Sequence, residues 1–492
     1  MPSDVYFTTN PSEFSKLPGL YVSEQNPPGF IRGIDQSVVG FVGKCVRGPE
    51  RPITITTSGR FLEIYGGRAR PGAPGTLLGE VWKGLLNKQF GTISVRRVVP
   101  ADAALATKNL SNAVPTAIVR VDATSKGAWG NDVQVAVVDA TDADATHFNL
   151  VVTYDGKTYT YENLNTQTGQ DNLATTIGDD DANVIVATKL ADGRPVNSAA
   201  ASLTTGADGT AVASDYNTPL SDMSVEPGVG VVLVPEKAPT PATVNGYLVA
   251  LAPTVADRMF LTWSSDETNT DTDDVTDIGT QITTRSDRIV WCYNAPYTID
   301  PVTGTETVTG PHVWMASILS QLEVDVHPGA ADATPLLAGI KRLYNPNLTR
   351  SQLIGLQNAG ISAIERLPGE FRFRMGVTTD LNPGKTEITR RRSADYLQLS
   401  AADRLRHYVK ALNTPANRAS MIGELVAFSN ELRNKGRIVE DFAIDSASVN
   451  TDAQRAQNIE QVLWRVKLIG HMNSLVLQTE IGTDVTITEQ AA

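Results

Sequence analysis

Val38-Val39-Gly40-Phe41-Val42-Gly43-Lys44-Cys45-Val46-Arg47-Gly48 is an apolar, β-branched run with two early glycines and a Gly-Lys pair. Two chemistries share that outline. One is the phosphate-gripping loop of an NTPase; the other is a buried strand whose glycines let neighbouring backbone approach closely. The phosphate loop requires G-x-x-x-x-G-K-[ST]. With Gly43 and Lys44 as its second glycine and its lysine, the first glycine falls on Val38 and the magnesium-binding hydroxyl on Cys45. Neither residue fits, and a thiol is a poor ligand for a hard cation. The run is therefore read as a packed strand.

Its surroundings alternate strand and helix patterns. Ile53 and Ile55 alternate with Thr54 and Thr56, as in a half-buried strand. TLLGEVWKGLLNKQF sets Leu77, Leu78, Val81, Trp82, Leu85 and Leu86 at helical spacing, and the strand TISVRRVV follows. Residues 31–100 thus read as α/β material, resumed at 240–340 by helices near 241–252 and 275–285, the strands RMFLTW and DRIVWCY, and the helix PHVWMASILSQL. Between them, 101–239 is rich in Thr, Ala, Asp and Asn, with the short strands DVQVAVV, FNLVVTY and VGVVLV and the turn Tyr154-Asp155-Gly156-Lys157. It reads as an inserted β-rich domain. Residues 1–30 form a polar arm with one extended candidate, Leu20-Tyr21-Val22, that lacks an obvious partner in its own segment.

Residues 341–492 form an α+β domain. SADYLQLSAADRLRHYVKAL is expected to place Tyr396, Leu397, Leu405, Tyr408, Val409 and Leu412 on one helical face. A second helix should begin at Pro415 and stop at Gly436, with Met421, Ile422, Leu425, Val426 and Leu432 inward. The strand RIVEDFAID follows. In EQVLWRVKLIG, Val462, Trp464, Val466 and Leu468 alternate with Gln461, Arg465 and Lys467, and LVLQTEI is a last strand candidate.

The 492 residues are 41% hydrophobic and 20% charged, with a net charge of −12. That is the balance of a globular chain with ample core, and two cysteines, Cys45 and Cys292, cannot carry a fold by disulfides. No secretory leader and no run of ~20 apolar residues is evident, so no direct membrane insertion is expected. The charge is uneven: 341–437 holds 17 basic against 8 acidic residues, and 101–239 holds 18 acidic against 7 basic. An acidic whole argues against nucleic acid as the partner. The Thr389-Arg390-Arg391-Arg392-Ser393 run is either a solvated helix start or a contact for an acidic protein surface.

Catalytic and metal motifs are missing. DETNTDTDDVTD spaces Asn269, Asp271 and Asp273 like a calcium loop, but Asp274 takes the glycine position and Thr280 the closing glutamate position. The histidines, at 147, 312, 327, 407 and 471, form no His-x-x-x-His pair, and no Gly-x-Ser-x-Gly elbow occurs. No enzyme activity, cofactor or metal is expected.

The order of several short motifs resembles the tail sheath proteins of contractile bacteriophages, tailocins and injection systems. Pro18 to Val22, Ser37 to Gly43, Gly48-Pro49 and Phe61 to Gly67 resemble the opening of that family. LLGEVWKGLLNKQFGTISVRRV resembles its helix and strand ending in Arg-Val, and Lys126 to Asn131 its Gly-x-Trp-Gly-Asn turn. AGISAIERLPGEFRFRMGVTTDL, with Gly376, Thr378 and Thr379, resembles its strand pair, and ITRRRSADYLQLS the block that opens its C-terminal helices. The C-terminus departs from the family in lacking the proline of its final strand motif.

The resemblance implies an α+β, multidomain sheath subunit with an α/β middle domain, a β-rich insertion and a C-terminal domain that receives strands donated by neighbours. It implies a helical homo-oligomer, hexameric rings around a tail tube protein, with baseplate and tail terminator proteins as further partners. Its place would be the virion tail, assembled in the host cytoplasm. Leu20, Tyr21 and Val22 would belong to an inter-subunit arm, and Val462, Trp464, Val466 and Leu468 to the receiving sheet. Arg390, Arg391, Arg392, Arg404, Arg406 and Lys410 would face the tube. The alternative is a hydrolase directed at glycans or the cell envelope through its β-rich insertion.

Overall fold

The computed structural model describes residues 5–7, 20–22, 37–66, 81, 90–235, 258–263, 282, 284–299, 304–330, 337, 339–451, 457 and 459–471. The helices expected at 76–90, near 241–252 and near 275–285 fall almost wholly outside these residues. So do the acidic stretch 266–277 and the strand LVLQTEI. The chain forms two units: Arg32–Arg404, and Met1–Ile31 together with Leu405–Ala492.

In the second-named unit, β1 (Val5–Phe7) and β2 (Leu20–Val22) pair in parallel, with Tyr6 opposite Tyr21. The expectation that Leu20–Val22 lacks a partner in its own segment is thereby corrected.

The larger unit is built on a sheet that contains β3 (Val38–Gly43), β4 (Ile53–Ile55) and, after α1 (Ser58–Tyr65), β5 (Ile93–Arg97). A β-rich insertion follows: β6 (Thr107–Ser111), β7 (Ala117–Ala123), β8 (Gln134–Asp139), β9 (Phe148–Tyr154), β10 (Lys157–Leu164), α2 (Leu173–Ile177), β11 (Ile185–Lys189) and β12 (Ser198–Ser202). The chain returns through α3 (Asn217–Val225), β13 (Val229–Leu233), β14 (Met259–Trp263), β15 (Ile289–Tyr293), β16 (Pro296–Ile299) and β17 (Glu306–Val308). Then come α4 (Pro311–Gln321), β18 (Ile340–Leu343), α5 (Arg350–Ala359), β19 (Ile361–Leu367), β20 (Glu370–Phe373) and α6 (Ile388–Leu405).

The main sheet has the order β20-β19-β15-β14-β13-β3-β5-β4. Every pair from β19 to β5 is parallel, and β20 and β4 are antiparallel edges. Its parallel strands are nearly continuous apolar runs because both faces are covered. Phe61, Ile64 and Tyr65 of α1 and the apolar body of α4 bury one face, and Leu220 and Met223 of α3 and Leu356 of α5 bury the other. Within β3, Val39 and Phe41 face the first layer and Val42 the second. A Cβ on Gly40 would lie 3.0 Å from Val229 and 3.1 Å from the Met223 sulfur, so close approach explains that glycine. VGVVLV, read as part of the insertion, is β13 of this sheet, and it and α3 pack with the middle of the molecule. Likewise β19, placed by sequence in the C-terminal domain, pairs with β15.

The insertion stacks the antiparallel sheets β10-β9-β8-β12 and β11-β7-β6 around one apolar core. Asp155 and Gly156, at φ 48° and 72°, make the tight turn between β9 and β10 that the Asp-Gly pair announces.

Two positions test this packing. Gly48 has φ +113°, and a Cβ there would lie 2.5 Å from the Tyr65 ring. Gly48→Ala should cost about 2 kcal/mol in urea unfolding. His312 in α4 is fully buried and stacked on Trp263 at 5.8 Å, with its Nε2–H donating to the Val234 carbonyl at 2.9 Å. Burial pushes its pKa from 6.5 down to about 4, against the raising effect of the Val234 bond. Between these values the unfolded chain holds the proton and the folded one does not. Stability is therefore full above pH 6.5 and falls as the pH drops towards 4, by about 3 kcal/mol at most. His312→Gln should flatten this part of the pH–stability profile.

Candidate functional site

The carboxyl ends of β3 and β13 flank the point where the sheet order reverses, the usual ligand crevice of such sheets. Beside it, on the β5 side of β3, the segment that follows β3 is held by a cation of the protein itself. From the end of β5, Arg97 donates to the carbonyls of Cys45 (3.3 Å), Val46 (3.3 Å), Gly48 (3.1 Å) and Lys126 (2.7 Å). The segment after β3 thus aims oxygens inward, where a phosphate grip would aim N–H groups. The next arginine outward, Arg47, is buried between Trp129 (5.5 Å) and Tyr154 (5.4 Å) and donates to the Ala182 and Glu63 carbonyls. Gly48 N–H donates to Ser125 Oγ at 3.0 Å. The segment that looked like a phosphate loop is the joint between sheet and insertion. Arg51–Asp181 (2.8 Å) and Arg60–Asp180 (2.7 Å) clasp it from outside.

A cavity of about 230 Å³ beside this clasp is lined by Arg47, Arg60, Glu63, Tyr154, Asp155 and Asp180. Asp180 is held below the usual carboxylate range by the Ala182 amide and by Arg60, so it is no general acid at neutral pH. No group of three metal-ligating side chains occurs among the described residues, nor any helix long and apolar enough to cross a membrane.

The Arg390–Arg392 run, expected on the surface, divides. Arg390 is 40% exposed, 3.8 Å from Glu387. Arg391 is 17% exposed and reaches Asp395 (2.5 Å) and Asp287 (3.3 Å); burial disfavours its charge, but the two carboxylates raise its pKa. Asp395, 3% exposed, also receives both arms of Arg288 at 2.8 Å. Arg392 is buried and donates to the carbonyls of Leu319 (2.6 Å) and Leu322 (3.3 Å), at the negative end of α4. Burial lowers its pKa to about 10, still charged at neutral pH. Arg391 and Arg392 are thus internal braces, which corrects their tube-facing assignment. Arg404 is half-buried in the last turn of α6, and Arg406 and Lys410 are exposed.

In the other unit, α7 (Pro415–Lys435) starts with Thr414 Oγ1 accepting from Asn417 N–H and stops at Gly436 with φ 65°. Both ends match the sequence reading. Leu425, Phe428 and Leu432 are its buried apolar residues. β21 (Val439–Asp445) and β22 (Leu463–Leu468) pair antiparallel and form a two-stranded sheet among the described residues. In β22, Trp464, Val466 and Leu468 are half-buried and Leu463, Arg465 and Lys467 exposed, as the alternation predicts. Val462, just before it, is half-buried too. Phe442 lies opposite Val466, and Ile444 opposite Trp464, whose ring stands 6.2 Å from Phe428. The sheet therefore rests one apolar face by α7. Its outer edges carry main-chain groups with no strand beside them among the described residues.

No family model and no curated protein matches the sequence. Solved structures do match in fold. A sheath tail protein from Desulfitobacterium hafniense is 15% identical, with TM-score 0.59 over 92% of this chain and 100% of its own. One from Listeria innocua is 12% identical, with TM-score 0.63 over 89% and 96%. The anti-feeding prophage helical sheath in its contracted state is 11% identical, with TM-score 0.56 over 95% and 99%. The chain has the mixed α+β fold of sheath tail proteins, as the motif order implies.

The arginine network gives a sharp contrast. Asp395→Ala strands Arg288 and Arg391 in a buried site and should cost about 3–5 kcal/mol in chemical denaturation. Arg390→Gln should stay within about 0.5 kcal/mol of the parent.

Proposed function

We propose that the chain is the structural subunit of a contractile tail sheath. It polymerises with itself as stacked, hexameric rings around a tail tube. Contraction then drives the tube through the target envelope. The baseplate and tail terminator bound the polymer, which is assembled in the host cytoplasm and resides in the tail. The role is mechanical, with no cofactor, nucleic acid or catalytic step.

One observation carries this reading: the fold likeness to sheath proteins extends over nearly the whole of both chains. The sheet β21–β22, two-stranded among the described residues, supports the same conclusion. A two-stranded sheet is marginal in water, and an added strand satisfies its edge groups by β-augmentation. The short pair β1–β2, in an arm of polar sequence, is a fitting donor. Main-chain pairing keeps copies linked while packed bodies move between two arrangements. The hydrolase alternative gains nothing from the cavity beside the insertion or from the fold.

Negative-stain microscopy of the purified chain tests the reading: cylinders or rings are expected, and a persistent monomer, with tubes present or absent, would contradict it. Deleting residues 1–25 should abolish polymerisation while leaving the thermal transition of the larger unit in place. Cylinders formed by the truncated chain would rule out the N-terminal arm as donor.

A further inference from the structure

Arg47 is 5% exposed, and among the described residues no carboxylate lies within ion-pairing distance of it. Buried charges are ordinarily paired, because leaving water disfavours the charged form. The guanidinium donates to the Ala182 and Glu63 carbonyls and lies against Trp129 and Tyr154, but its Nε has no hydrogen-bond partner. Burial lowers its pKa. This incompletely compensated cation lines the cavity of about 230 Å³ beside the Arg60–Asp180 clasp.

Three more groups of the lining are unengaged. The Lys157 side chain, half-buried at the start of β10, makes no hydrogen bond or ion pair among the described residues. Nor do the hydroxyls of Tyr154 and Tyr159. Register brings them together. Lys157 lies opposite Tyr154 across the β9–β10 hairpin, and Tyr159 is two residues further along β10, on the same face. Thr158, between them, is exposed on the other face. The carboxylates of the lining lie outward. Glu63 and Asp180 flank Arg60 at 3.6 and 2.7 Å; the three side chains are 45%, 55% and 41% exposed, and with exposed Asp155 they form the open rim.

We propose that this cavity binds a hexuronic acid unit, one sugar ring bearing a single carboxylate, with the carboxylate beside Arg47 and Lys157 and ring hydroxyls donating to the rim carboxylates. Size, charge and donor pattern select that ligand. A cavity of about 150 Å³ admits benzene, so 230 Å³ admits one six-membered ring with its substituents. Two cations and two phenols call for an oxyanion. The rim carboxylates repel a phosphate, whose charge is about −1.5 to −2, more strongly than a monoanion. They also accept hydroxyl donors, which a sugar supplies. The site is one of binding alone: Asp180, held ionised by the Ala182 amide and Arg60, offers an acceptor and no acid. Every residue involved belongs to the larger unit, so the assignment is independent of polymerisation.

Ligand-observed saturation-transfer NMR on the full-length chain tests this, with glucuronate, glucose and inorganic phosphate as probes. Glucuronate should bind with a dissociation constant on the order of 1 mM, as suits a single ring held by a few polar contacts. Glucose should bind about tenfold more weakly, and phosphate should displace glucuronate only at about tenfold higher concentration. Lys157→Gln and Tyr159→Phe, each with a parental thermal transition, should weaken glucuronate binding about threefold or more. Thr158→Ala should leave it unchanged. No transfer to glucuronate at roughly 20 mM overturns the proposal. So does glucose or phosphate binding as tight as that of glucuronate, and so does parental affinity in a folded chain carrying both Lys157→Gln and Tyr159→Phe. A chain that binds glucuronate yet forms no cylinders or rings supports this site while contradicting the sheath reading.

Discussion

The hydrogen bonds that β21 and β22 exchange satisfy one edge of each strand. On the other edges, N–H and C=O groups have no strand beside them among the described residues. The face carrying Trp464, Val466, Phe442 and Ile444 rests by α7 and is only half-buried. A sheet so narrow has two physical outcomes: it frays, or it is completed by another strand. Completion from another copy turns a folding deficit into an assembly rule, and the proposed polymer depends on it.

The larger unit meets the opposite demand. Its sheet is covered on both faces, and its insertion is tied down at every level. Arg97 gathers four carbonyls at the joint, Arg47 is held between two aromatic rings, and two surface ion pairs close the seam. Arg288, Arg391 and Asp395 join α6 to the strand β15 region without exposing a carboxylate. Such a body suits displacement as a rigid unit.

Much of this was legible in the sequence, for local reasons. Period-two alternation gave the faces of β22, Pro415 and Gly436 gave the ends of α7, and the apolar run at Val38 gave the central strand. The misreadings are equally physical. Val5–Phe7 and Leu20–Val22 are too short to show a period, so their pairing was missed. β13 is embedded in Thr- and Asp-rich composition, which masked its place in the main sheet. A run of three arginines looks solvated because Asp287 and the Leu319 carbonyl, which help bury two of them, lie far away in sequence, and the burial of Asp395, four residues on from Arg391, depends on the distant Arg288. Val409 and Leu412 continue the helical period of α6, and only the break at Leu405 turns them outward.

The central claim is that strands from other copies complete the β21–β22 sheet. Amide hydrogen exchange measures this directly, comparing dispersed chain with sedimented polymer over 439–445 and 463–468. The account predicts strong new protection in both segments on polymerisation. Exchange that stays the same in cylinders would contradict it, because no strand would then have been added.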